Sequence, residues 1–75
     1  MKVFATALIN NNTHNYKGHV KLALRKDGRI ACITPDAAVF DSHLPAANDM
    51  ADAQFIAQHH PNRHVYSNMN MVAQA

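Results

Sequence analysis

Six histidines in a chain of 75 residues are the first side chains to weigh for chemistry: His14, His19, His43, His59, His60 and His64. Imidazole is the commonest metal ligand, and zinc needs three or four such groups converging within about 2.0–2.1 Å. The densest run is His59-His60-Pro61-Asn62-Arg63-His64. Its spacing departs from a ligand pattern. Two ligands on one helix face sit four apart, Pro61 interrupts the helix, and adjacent residues point about 100° apart. The run reads as surface residues at a helix C-terminus, where positive charge is favourable, so no metal and no cofactor are expected. Cys32 is the only cysteine. It falls within a strand-like run, without the helix N-terminus or basic neighbour that would lower its pKa, and reads as a small packed residue. The aspartates do not pair as acid and base, and Gly18 and Gly28, the only glycines, make no phosphate loop. The expectation is a protein that is not an enzyme, with no catalytic residue.

A basic stripe is the stronger signal: Lys17, His19, Lys21, Arg25, Lys26 and Arg29. Residues 1–35 carry six cations against Asp27, a balance of +5, whereas residues 36–75 carry Arg63 against four aspartates, a balance of −3. Such asymmetry points to an anionic partner, or to attraction between two parts of one fold. Sheets that bind single-stranded nucleic acid also need exposed aromatic rings for stacking. The strands offer only Phe4, expected in the core, and Tyr16 lies in a loop. The first expectation is therefore a protein partner with an acidic surface, met by Lys17, Lys21, Arg25, Lys26 and Arg29 with Tyr16, Ile56 and Tyr66 as anchors. Nucleic acid bound by the basic hairpin at 17–29 is the alternative. The tail Met69-Asn70-Met71-Val72 reads either as an adaptable contact surface or as ordinary packing.

These residues need a scaffold. Residues 19–25 alternate polar and apolar, Lys26-Asp27-Gly28-Arg29 follows, and residues 30–33 are apolar. Asp-Gly between two such runs is a β-hairpin signal. As a two-residue turn it sets Leu24 against Ala31 and Leu22 against Ile33. One face then carries Val20, Leu22, Leu24, Ala31 and Ile33, and a basic, wetter face carries Lys21, Ala23, Arg25, Ile30 and Cys32. Lys2 to Ile9 is apolar on both faces, as suits a central strand, and residues 10–18 are an asparagine-rich loop. Thr34-Pro35-Asp36 resembles a helix start, with one short turn through Phe40. The clearest helix runs from Pro45 to His60, with Met50, Ala53, Phe55 and Ala57 on its broad apolar face and Ile56 on the polar side. Residues 64–70 favour a returning strand.

One domain spans 1–75: an α+β fold with a small, mainly antiparallel sheet in β-β-β-α-β order (strands near 2–9, 19–26, 29–34 and 64–70) and one helix, 45–60, packed on one face. A chain this short buries only about 60% of its unfolded surface, and 13 of its apolar residues are alanine. So thin a core makes a homodimer or a tightly held partner an expected support. No apolar run nears the ~20 residues that span a bilayer. The first nine residues lead into Asn10-Asn11-Asn12 rather than a cleavage site. No membrane contact and a cytoplasmic location are expected. By elimination the function expected is a non-enzymatic binding module, a small accessory protein or inhibitor that docks on a larger protein or nucleoprotein complex. Phage- or mobile-element-encoded inhibitors of the anti-CRISPR type fit that class by size and by the lack of a catalytic constellation.

Overall fold

The computed structural model describes residues 2–9, 17–59 and 66–72. They form β1 (Lys2–Ile9), β2 (Gly18–Leu24), β3 (Ile30–Ile33), β4 (Val39–Asp41), α1 (Met50–His59) and β5 (Tyr66–Met71). The strands make one antiparallel sheet in the order β4-β3-β2-β1-β5, and α1 packs on one side of it. The architecture is α+β, as the sequence pattern predicts, with one strand more than expected.

That extra strand is β4, where a helical turn is the sequence expectation. Thr34 does not cap a helix. Its hydroxyl accepts the Ala38 N–H at 3.0 Å and also bonds the Asp36 carboxylate. Backbone bonds from Thr34 N–H to Ala38 C=O and from Ala37 N–H to Thr34 C=O, each 2.9 Å, close the turn, with Ala37 at φ 71°. Local side-chain bonding of this kind competes directly with helix formation. It folds the chain back so that Phe40 pairs with Cys32.

The hairpin forms one register away from the expected one. Leu24 pairs with Ile30, Ala23 with Ala31, Leu22 with Cys32 and Lys21 with Ile33. The Gly28 N–H bonds the Arg25 C=O at 3.1 Å, the Arg25 N–H bonds the Arg29 C=O at 2.9 Å, and Gly28 has φ +87°. This is a three-residue loop with glycine in the left-handed position, the next commonest hairpin connection after the two-residue turns. A one-residue slip exchanges the faces of β3. Ile30 and Cys32, expected on the wet side, join Val20 and Leu22 in the core beneath α1, and Ala31 and Ile33 move to the other face.

The helix is shorter than expected, starting at Met50 rather than Pro45. Asp49 is its N-cap. The Asp52 N–H donates to Asp49 Oδ1 at 2.8 Å, and Asp52 Oδ2 reaches back to the Asn48 N–H at 2.9 Å. Two donors left over at the helix start are thus satisfied reciprocally, as in a capping box. Residues 45–48 stay outside because the Ala47 N–H bonds the hairpin carbonyl of Gly28 at 2.7 Å. Ala53 and Ala57 are fully buried, and Ile56 packs half-buried on the core, whereas Phe55 is 63% exposed. The expected placing of Phe55 inside and Ile56 outside is therefore reversed.

A bulge in β1 between Val3 and Ala5 lets two successive residues, Phe4 and Ala5, both be fully buried. The core also holds Ile9, Leu44 and Tyr66. Its polar groups are satisfied. The Tyr66 hydroxyl donates to the Ser42 carbonyl at 2.6 Å and lies 3.4 Å from Cys32 Sγ, and no buried side-chain N or O atom among the described residues lacks a partner.

Candidate interaction surface

Because α1 covers one side, the alternation along the strands assigns the remaining side chains to the opposite face. The pairings order them in rows. One row runs Val3, Ala23, Ala31, Asp41 across four strands, and the next runs Asn70, Thr6, Lys21, Ile33, Val39 across five. Arg25 and Arg29 face each other at the hairpin end. Ala23 and Ala31 have no exposure although they are absent from the helix-side core, so taller neighbours close over them. Long basic side chains cover apolar surface in this way while their charged ends stay in water.

The charges on this face are not equal. Arg29 is neutralised: its Nη2 lies 2.7 Å from Asp41 Oδ2. Burial alone would raise the Asp41 carboxyl, but the His43 N–H and the Arg29 guanidinium outweigh it and hold the carboxyl below its ordinary range. Arg25 is held loosely, with Nε 3.9 Å from Asp27 Oδ1. Among the described residues, which include every aspartate, Lys17, Lys21 and Lys26 make no ion pair. Lys21 stands at a concavity of about 650 Å³ lined by Thr6, His19, Ile33, Pro35 and Ala37. The site thus combines an uncompensated ammonium with apolar walls, which suits an acidic group carried on an apolar surface.

Of the residues the sequence nominates, Lys17, Lys21, Arg25 and Lys26 are exposed, and Lys21 and Arg25 share the open face. Tyr16 lies outside the described residues. Two anchors are corrected. Tyr66 is 6% exposed with its hydroxyl committed inside, and Ile56 packs toward the core. Sequence reasoning missed Ile33 and Val39 on the open face, the latter 48% exposed. The register slip hid the first and the unread strand hid the second.

Cys32 has no exposure, and burial pushes its thiol up to about 11, against a small opposing effect of the Tyr66 hydrogen bond. A nucleophilic cysteine needs the reverse shift and access to solvent, so this thiol is inert. No group of three or more His, Cys, Asp or Glu among the described residues is placed to hold a metal ion. No helix among the described residues is long and apolar enough to cross a membrane. Comparison with protein-family models, with curated proteins and with solved structures finds no match to this chain.

Proposed function

We propose that this chain is a non-enzymatic protein-binding module that docks on an acidic protein surface through the open face of its sheet. The observation that carries the reading is the state of Lys21. It is exposed, has no ion-pair partner among the described residues, and stands beside Ile33 and Thr6 at a concavity. Arg25 continues the charge just past the end of β2, and Val3, Leu8 and Ile33 supply half-buried apolar area around Lys21. Cations steer encounter and fix orientation, while desolvated apolar contact holds the complex. A module of this kind acts by occupying a surface, the mode of an accessory protein or of a small phage- or mobile-element-borne inhibitor.

Nucleic acid is the competing partner. Phe4 and Phe40 pack on the helix side and Phe55 is on α1, so among the described residues no phenylalanine or tyrosine ring lies on the open face for base stacking, and His19 contributes an imidazole there. The test is capture from host lysate by the tagged protein, with and without nuclease, comparing wild type with the double variant Lys21→Glu, Arg25→Glu. A stoichiometric protein that survives nuclease and is lost with the double variant is the expected result. Capture that ignores the double variant overturns the assigned face. Capture that vanishes with nuclease, and weakens steeply as salt rises, overturns the protein-binding reading in favour of phosphate contacts.

A further inference from the structure

The two edges of the sheet are treated differently. β4 is three residues long, ends in the Arg29–Asp41 ion pair and follows Pro35. Short length, charge and proline are the usual guards against edge-to-edge pairing. β5, the other edge, is six residues long, and from Tyr66 to Val72 it contains no charged residue and no proline. Its single irregularity, a bulge with Asn68 at φ 52°, lies in its first half. The Val72 N–H bonds the Phe4 C=O of β1 at 2.8 Å. By antiparallel alternation, Asn70 and Val72 then turn their backbone groups toward β1, and Met69 and Met71 turn theirs outward. Met71 and Val72 are 36% and 37% exposed. Behind this edge, between β5 and α1, a groove of about 430 Å³ is lined by Ala57, Gln58, Tyr66, Met69 and Met71.

We propose that β5 is the seam of a two-fold homodimer in which residues 69–71 of one copy pair antiparallel with the same residues of a second. In a two-fold antiparallel contact centred on Asn70, that residue faces its own copy and a charge at residue 71 would lie diagonally across from the same charge, within reach of it. β5 has no charge to be repelled in this way, so a second copy of this chain is a fitting complement for it. With Asn70 at the centre, Met69 of one copy opposes Met71 of the other. Their outward N–H and C=O groups then form four new hydrogen bonds. Methionine side chains adapt to irregular gaps, and the two copies' Met69 and Met71 would meet where the two grooves abut. The sheet becomes ten-stranded, with both open faces on one side. This inference is independent of which partner those faces bind.

The experiment is sedimentation equilibrium of the full chain from micromolar to millimolar concentration, on wild type, Met71→Lys, Met71→Glu and an equal mixture of the two variants. Wild type is expected to reach twice its 8.3 kDa mass. Each charged variant is expected to dimerise about tenfold more weakly or worse, with an unchanged circular dichroism spectrum, since residue 71 is exposed. The mixture is expected to recover dimers, because the lysine introduced in one copy and the glutamate introduced in the other lie diagonally across the seam within reach of each other. Recovery separates a seam effect from misfolding. A wild type that stays monomeric throughout, or a dimer indifferent to both charges, overturns the proposal.

Discussion

The Ala47 N–H donates to the Gly28 carbonyl at 2.7 Å, so the tip of the hairpin is tied to the segment that leads into α1. The same approach leaves no room at residue 28: a Cβ added there would lie 2.7 Å from the Ala47 carbonyl oxygen, a backbone atom. One close contact thus sets the loop, delays the start of the helix and fixes the end of the sheet that carries Arg25.

Gly28→Ala meets two penalties, the backbone clash and a φ of +87° that a side chain disfavours. The expected loss is about 2–3 kcal/mol. It is measured as a lower urea midpoint with an unchanged denaturant slope. A midpoint within error of wild type would show that the hairpin tip is not held as described.

Stability is expected to fall in alkali. Burial raises the Cys32 thiol from 9.0 to about 11, and burial likewise raises the Tyr66 hydroxyl. The folded state therefore holds these protons more tightly than the unfolded chain. The thiol's contribution is complete below pH 9 and is lost as pH climbs through about 11, whereas the hydroxyl's begins to be lost only above pH 10 and persists to higher pH. For the thiol alone the span is about 2–3 kcal/mol at most. Urea midpoints of wild type should drop across this window, and those of Cys32→Ala should drop less. Equal slopes for both proteins would count against the thiol as a source. A thiol reagent should label Cys32 only as fast as the fold opens.

Asp49→Ala removes the side chain that accepts the Asp52 N–H at 2.8 Å. The expected cost is about 1 kcal/mol, with a small loss of helical circular dichroism. Asp49→Ser, which keeps a capping oxygen, should recover most of it. If serine is no better than alanine, the cap contributes nothing.

The sequence carries the class of this fold because periodicity and turn residues are local properties. The first strand, the hairpin, the helix and the returning strand are all readable from alternation and from Asp27-Gly28. The register is not readable. Residues 30–33 are apolar at every position, so both registers give β3 an apolar face, and the register that forms is accompanied by long-range contacts, the Ala47–Gly28 bond and the Arg29–Asp41 pair among them, that alternation does not reveal. The helix start is hidden for the same reason, since the partner that takes the Ala47 N–H lies 19 residues upstream. β4 is three residues held by a hydroxyl that looks like a helix cap. For the candidate surface, the cations are plain in the sequence. Which of them is neutralised is not, because Arg29 and Asp41 meet only through the β3–β4 pairing.

The strand order also has a consequence in time. Of the five strands described, β1 is made before the others, yet it lies between β2 and β5, and β5 is made after the rest. During synthesis β1 can zip to β2 while its other side stays open until residues 66–71 emerge. The β1–β5 closure spans most of the chain, and contacts of such long separation are slow to form. It also delivers Tyr66, whose hydroxyl satisfies the Ser42 carbonyl inside the core. Until then a nascent chain exposes an unpaired strand edge beside an unfinished core, the kind of surface that chaperones bind and that aggregates when crowded. The arrival of β5 is the step that closes this sheet against β1.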